Sequence, residues 1–327
     1  MSIALQVALV MVTILVVLLV IGAPIGVAIG MSSAVSMICM IPADVSFATS
    51  AQRIFAGSNS FSLIAIPFFI LAGNIMNNGG IATRLVNCAK VISGRMPGAL
   101  AQSNVVANML FGAISGSGAA AAAAMGGTIG PLEEKEGYDK NYSTAVNVAS
   151  APVGMLIPPS NTMIVYSSVA GSVSIAALFM AGYIPGLLWG GAVMILAGIM
   201  AKKRGYQAEQ RVPVKVALKT FWQAIPSLLL IVIVIGGILG GIFTATEGSA
   251  IAVVYATVLS LIYKSFKIKD IPRIVLESAK TTGIITFMIG LSSIMSWAMA
   301  FTEIPDMIAT AILGLTTNKY LILLLIN

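Results

Sequence analysis

The run Ile3–Val20 carries no charged side chain, and neither does Leu228–Ile242. Such runs decide the solvent before they decide anything else. A bilayer's hydrocarbon core is about 30 Å thick and takes about 20 apolar residues per spanning helix. Of the 327 residues, 58% are hydrophobic and 9% are charged, whereas a soluble domain carries about 25% charged residues. Ten-residue strands alternating polar and apolar side chains are absent, which disfavours a membrane β-barrel. The expected fold class is an all-α polytopic membrane protein.

The N-terminal segment has no Lys or Arg before its apolar run, and that run continues past Gly22 to Met40. Both features favour a membrane helix over a cleaved signal peptide. Cys39 and Cys88 lack a CxxC spacing and read as small hydrophobes. The net charge of +7 is unevenly spread. Lys202, Lys203, Arg204, Arg211, Lys215 and Lys219 crowd one loop; Lys264, Lys267, Lys269 and Arg273 crowd another. The positive-inside rule puts both loops in the cytoplasm, against lipid headgroups and not nucleic acid. Glu133, Glu134, Glu136 and Asp139 are expected to form a solvated polar loop.

With both basic loops on one side, the apolar block Ala224–Tyr263 must cross twice, turning near Phe243–Gly248. The block Ile3–Ile41 turns at Gly22-Ala23-Pro24. GAPIGVAIGMSSA (22–34) lies over TATEGSAIAVVYA (244–256), and ILAGNIM (70–76) over IGLSSIM (289–295) at nearly the same offset. The shared order and spacing point to an internal duplication, a common way to build secondary transporters. The first repeat is read over 1–200, a basic linker over 201–220, and a second, incomplete repeat over 221–327.

Four polar, glycine- or proline-rich stretches interrupt the apolar pattern: GSNSFSLIAIP (57–67), GAISGSGAAAAAAMGG (112–127), APVGMLIPPSNT (151–162) and AKTTGIITF (279–287). Non-helical backbone at membrane depth is tolerated where protein or a watery cavity covers it. Pro158-Pro159 cannot lie inside a continuous helix. Each glycine lowers helix stability by about 1 kcal/mol against alanine. Discontinuous helices are expected at all four stretches. Unwound carbonyls and half-helix C-termini hold small cations, and half-helix N-termini face anions. The chain has no histidine, so His-based acid–base or metal catalysis is excluded. No charged residue falls mid-span, which favours sodium over a proton relay of buried carboxylates; Glu247 is the exception to watch.

The motifs IPFFILAGNIMNNGGIATRL (66–85), GAISGSGAAAAAAMGGTIGP (112–131) and ASAPVGMLIPPSNTMIVYSSVAGSVSIAALFMAGYIPGLL (150–188) resemble the large membrane subunit of tripartite ATP-independent periplasmic (TRAP) transporters. The resemblance implies a sodium-coupled importer of organic acids, of the sialic acid or C4-dicarboxylate class, in the bacterial inner membrane. Its partners would be a small membrane subunit and a periplasmic substrate-binding protein. It also implies an elevator architecture with re-entrant hairpins, here about Ser58–Met76 and Thr281–Trp297. The candidate sodium and substrate residues become Ser58, Asn59, Ser60, Ser62, Ser115, Gly116, Ser117, Gly118, Pro158, Pro159, Ser160, Asn161, Thr281 and Thr282. Sodium itself is expected at Ser60, Ser115, Ser117, Ser160 and Thr281. Family members are longer, so a proline motif mirroring Ile157-Pro158-Pro159 is expected beyond Asn327. A self-sufficient sodium–carboxylate symporter and a non-transporting scaffold subunit are the alternative readings.

Overall fold

The computed structural model describes residues 3–171, 173–206, 213–265 and 267–326; Arg211, one of the predicted cytoplasmic charges, lies outside them. Among the described residues, all regular structure is helical. In chain order the helices are α1 (Ile3–Val20), α2 (Ile25–Met37), α3 (Ala43–Ser58), α4 (Ala65–Asn78), α5 (Ile81–Ser93), α6 (Ala99–Ser115), α7 (Gly118–Thr128), α8 (Gly130–Lys135), α9 (Lys140–Ser150), α10 (Val153–Leu156), α11 (Asn161–Ala170), α12 (Ile175–Lys203), α13 (Val214–Leu239), α14 (Ala245–Ile262), α15 (Ile271–Phe301), α16 (Ile304–Leu315) and α17 (Lys319–Ile326). Among the described residues, six segments are long and apolar enough to span a membrane: Ile3–Val20, Phe61–Asn78, Ile175–Lys203, Val214–Leu239, Ala245–Ile262 and Ile271–Phe301. A seventh span arises if Lys140–Leu156 and Asn161–Ala170, bent by 47° at their break, are taken together. The chain is an all-α, multi-pass membrane protein.

Two compact units divide it. The first comprises Met1–Ser60 with Gly283–Asn327, the second Phe61–Thr282. In the first unit, α1 and α2 form a pair whose turn is where the sequence puts it, with Gly22 at φ +87° and Pro24 leading into α2. Met37 packs with Leu291, Ile294 and Ala298, and Ile54 and Trp297 flank them. This packing needs small residues. A Cβ on Gly30 would lie 2.5 Å from the Leu291 side chain, and one on Gly57 would lie 1.9 Å from the Ser293 hydroxyl. Apolar helices in lipid gain little from the hydrophobic effect between them, so close backbone approach supplies the attraction.

In the second unit α4 packs on α14, α5 on α6 and α13, and α6 on α9 and α10. The α6–α10 crossing brings backbone against backbone: a Cβ on Gly112 would sit 2.3 Å from the Cα of Gly154. The outer face of α12 stays apolar, with Ile184 71% and Leu188 69% exposed, as expected of a face turned to lipid. The α13–α14 turn ends at Thr244, one residue before α14 begins, slightly ahead of the expected 243–248. Glu247 has a structural task. Its carboxylate accepts from the Thr244 amide (2.7 Å) and hydroxyl (2.9 Å), closing a capping box.

Two expectations are corrected. AKTTGIITF (279–287) is not interrupted: it lies within unbroken α15, so no hairpin turn occurs between Thr281 and Trp297. That stretch holds a single glycine and no proline, and the loss of about 1 kcal/mol at Gly283 is too small to open a long apolar helix. The Thr281 hydroxyl donates back to the Glu277 carbonyl at 3.1 Å, as a helix-compatible threonine does. Glu133 is not solvated. It is 1% exposed, on the short helix α8.

Backbone-to-backbone contact at Gly112 leaves no side chain able to yield. Gly112→Ala should therefore destabilise the fold by about 1–3 kcal/mol, the usual range for overpacking. Gly127→Ala, with nothing within 4 Å of the added Cβ, should be neutral or stabilising by up to about 1 kcal/mol. Thermal unfolding in detergent compares the two.

Candidate functional site

Two helix breaks meet inside the second unit. At the first, α6 ends where Gly116 turns left-handed (φ +59°), a conformation that costs a side chain-bearing residue about 1–2 kcal/mol. Ser117 then takes an extended conformation and caps α7, its hydroxyl accepting from the Ala120 amide at 3.3 Å. At the second, α10 stops at Leu156 and the chain runs extended through Ile157 and the cis Pro158–Pro159 peptide. Ser160 caps α11: its hydroxyl accepts from the Met163 amide at 3.4 Å and donates to the Met155 carbonyl. Each break thus follows from a local sequence signal, a glycine in one case and two prolines in the other, followed by a serine cap.

Asn161 joins them. Its backbone N–H points at the Gly116 carbonyl (3.4 Å) and its side-chain amide at the Ser115 carbonyl (3.4 Å). A Cβ on Gly116 would lie 3.0 Å from both the Asn161 nitrogen and the Pro159 carbonyl oxygen, so glycine is needed for fit as well as for φ. On the other side of the first break, Gly73 of α4 lets Ser115 approach: a Cβ there would be 3.0 Å from that of Ser115. Ser115, Gly116, Gly118, Pro158, Pro159, Ser160 and Asn161 are all buried, and Ser117 is half-buried. The side-chain oxygen of Asn161 is buried without a hydrogen-bond partner, although a group taken out of water normally finds one.

The cluster contains no ionised side chain. It offers the Ser115 and Ser117 hydroxyls, the unpaired Asn161 oxygen and loosely held carbonyls at Ser115 and Gly116. Neutral oxygens of this kind suit a small hard cation, and the partly positive N-termini of α7 and α11 open from the same two breaks. Eight of the predicted residues, Ser115–Gly118 and Pro158–Asn161, are therefore brought together. Ser62 belongs to the same unit, on a 3₁₀ turn, Phe61–Ile64, that packs against α11. Ser58, Asn59 and Ser60 belong to the first unit, at the end of α3, where the Ser58 hydroxyl donates to the Ile54 carbonyl (2.9 Å). Thr281 is exposed on α15, and the neighbouring Thr282 hydroxyl is buried and unpartnered.

A polar network behind the breaks escaped the sequence reading. Asn108 of α6 donates to Asn104 Oδ1 (2.8 Å), to Asn147 Oδ1 (3.0 Å) and to Ser150 Oγ (2.8 Å), and Asn147 donates to the Ala122 carbonyl (2.9 Å). It ties α6 and α9 to α7. The signal was available: Asn104 and Asn108 are four apart, and Asn147 and Ser150 three apart, so each pair shares a helix face.

Residues 12–327 match the family described as the DctM component of tripartite ATP-independent periplasmic transporters. The chain belongs to this family. It is 50% identical over 296 residues to the uncharacterized protein YgiK of Salmonella typhimurium, covering 90% of this chain and 68% of the relative. It is 41% identical over 282 residues to the isethionate TRAP transporter permease protein DctMQ of Oleidesulfovibrio alaskensis (85% of this chain, 44% of the relative). It is 37% identical over 283 residues to the sialic acid TRAP transporter large permease protein SiaM of Vibrio cholerae (85% and 65%). The chain spans between about half and two thirds of the length of these relatives. This DctM-family chain is a transporter component and not an enzyme.

Gly116→Ala tests the junction. The positive φ and the contacts at 3.0 Å should together cost about 1–2 kcal/mol or more, read as a lower unfolding temperature, and should loosen the Asn161 contacts. Native-state hydrogen exchange should then be faster at both breaks, not at the substituted one alone.

Proposed function

We propose that this chain carries the sodium and substrate path of a sodium-coupled importer of organic acids in the bacterial inner membrane. The observation that carries the reading is the meeting of two helix breaks through Asn161, with an unpaired buried oxygen and no charged side chain among them. A single sodium ion would satisfy that oxygen and the loose carbonyls. The bound cation, with the N-termini of α7 and α11, would then make the site attractive to an organic anion. The substrate is read as a carboxylate of the sialic acid or C4-dicarboxylate class. Relatives named for sialic acid and for isethionate, a sulfonate, share one demand on such a site: it must hold an anionic group.

Delivery by a periplasmic binding protein and association with a small membrane subunit complete the reading, as the family's tripartite name suggests. The two helical pairs, α1–α2 and α13–α14, are read as corresponding parts of repeats over 1–200 and 221–327, joined by the linker 201–220. An elevator motion of the broken helices against a scaffold is the mode of transport this reading entails.

Reconstitution in proteoliposomes tests it. Uptake of a radiolabelled organic acid should require a sodium gradient, the small subunit and the binding protein together. Uptake driven by a proton gradient alone would reject sodium coupling, and full uptake without the binding protein would reject the tripartite arrangement. Ser117→Ala and Ser160→Ala should each raise the sodium concentration for half-maximal uptake about tenfold, equivalent to about 1.4 kcal/mol. Each should cost about 1 kcal/mol of stability through the lost helix cap. Unchanged sodium dependence in both variants would remove these positions from the ion path.

A further inference from the structure

Among the described residues, Glu133 is the one fully buried carboxyl; neither of its oxygens makes a hydrogen bond of ordinary length and angle, and the nearby Ser143 hydroxyl gives it only weak support. An unpaired charge at such a position is costly. It lines a cavity of about 360 Å³ together with Asn104, Ser143, Thr144 and Asn147. Two further polar atoms there lack a well-formed hydrogen bond: the Ser143 hydroxyl, which lies toward Glu133, and the Asn104 side-chain nitrogen. Asn104 is 1% exposed and its carbonyl oxygen already accepts from Asn108, so the amide cannot be flipped to aim that oxygen into the cavity in place of its N–H groups.

The surrounding turn is firmly held. The Asp139 carboxylate caps α9 by accepting from the Tyr142 amide (2.9 Å) and pairs with Arg204 at 3.1 Å. The same two contacts, the amide foremost, hold the Asp139 carboxyl below its ordinary range. The Asp139 amide donates to the Tyr206 hydroxyl (2.8 Å), and the Tyr206 ring stacks on Tyr138 with centroids 4.2 Å apart. These contacts tie the cavity wall to the basic end of α12, which the positive-inside rule puts in the cytoplasm.

We propose that Glu133, with Ser143, Thr144 and Asn147, forms a binding site for one monovalent metal cation, sodium or potassium, at the cytoplasmic end of the second unit. It is built from none of the residues of the two helix breaks. One carboxylate among neutral oxygens balances a single positive charge. A divalent ion usually draws on several carboxylates, and no group of three His, Cys, Asp or Glu that could hold a metal ion occurs among the described residues. The cavity has room for a cation with several waters at about 30 Å³ each, and those waters supply the acceptor that the Asn104 N–H groups lack. The other charged groups do not substitute for a cation. Lys140 and Glu134 line the cavity rim and are exposed, Glu136 adds repulsion, and Arg204 is committed to Asp139.

Burial pushes the Glu133 carboxyl up to about 7, opposed by the Ser143 hydroxyl and reinforced by the charge of Glu136. Without a cation, the folded protein then holds a proton between about 4.5 and about 7 that the unfolded chain releases. Stability is lost as pH rises through that window. A bound cation restores it at the alkaline end, and protons compete with the cation at the acid end.

Thermal unfolding of the full chain in detergent, at constant ionic strength with choline replaced by sodium or potassium, tests the site. The Ser117→Ala, Ser160→Ala double variant moves the break region's response to about a hundredfold higher sodium when the two effects add, and cation concentrations below that range read the Glu133 site alone. At pH 8.5 that variant should still be stabilised by one of the two ions, and at pH 6 the apparent affinity should be about tenfold weaker through proton competition. Adding Glu133→Gln, close in shape to the protonated acid, should abolish both the cation response and its pH dependence. A cation response that survives Glu133→Gln, or one indifferent to pH, overturns the proposal, as does a pH response without any cation response. Should Glu133→Gln fail to fold, Ser143→Ala must weaken the cation response about tenfold, and an unchanged response overturns the site.

Discussion

Inside hydrocarbon no water can take over an amide or carbonyl that its helix abandons. The two breaks of the second unit are shaped by that constraint. The Gly116 amide is retained by the Gly112 carbonyl at 2.8 Å, Ser117 and Ser160 cap the helices that restart, and Asn161 reaches across to carbonyls of the opposite break. What the protein leaves unpaired is therefore informative: the Asn161 oxygen is withheld from the arrangement, in a place that the surrounding backbone has been bent to create.

Helix approach sets how close those groups can come. Gly112 against Gly154 brings α6 and α10 into backbone contact, and Gly73 against Ser115 brings α4 onto the first break. Asn108, donating to three acceptors, locks α6 to α9 just behind. The same small residues that allow close packing keep the backbone accessible, because no side chain stands over it. The alanine run of α7 serves both ends: Ala121 and Ala124 are buried, while Asn147 uses the carbonyl of Ala122 between them.

Much of the fold was legible in the sequence, because the runs that cannot face water are long and the turns between them carry Gly, Pro or a capping Thr-x-x-Glu. Three of the four interruptions were legible for the same reason. The fourth was not, since one glycine and two threonines at 279–287 are compatible with an unbroken helix when the flanking sequence is apolar. Glu133 was misread because four acidic residues within seven positions resemble a solvated loop. The turn that carries it is held by Tyr206 stacking on Tyr138 and by Arg204 pairing with Asp139, contacts made between residues far apart in the chain.

The sequence by itself determined the solvent, the helical class, the placement of the breaks at Gly116 and Pro158–Pro159, and the family. The solvent, the helical class and the breaks follow from local composition and from backbone preferences that act within a few residues; the family followed from the resemblance of whole motifs. Only the tertiary structure decided that the two breaks touch, that Asn161 is the residue joining them, and that one carboxyl is withdrawn into a cavity. Those outcomes depend on how closely distant helices can approach, and that distance is set by the missing Cβ atoms of Gly112, Gly154 and Gly73 acting on partners far away in the chain.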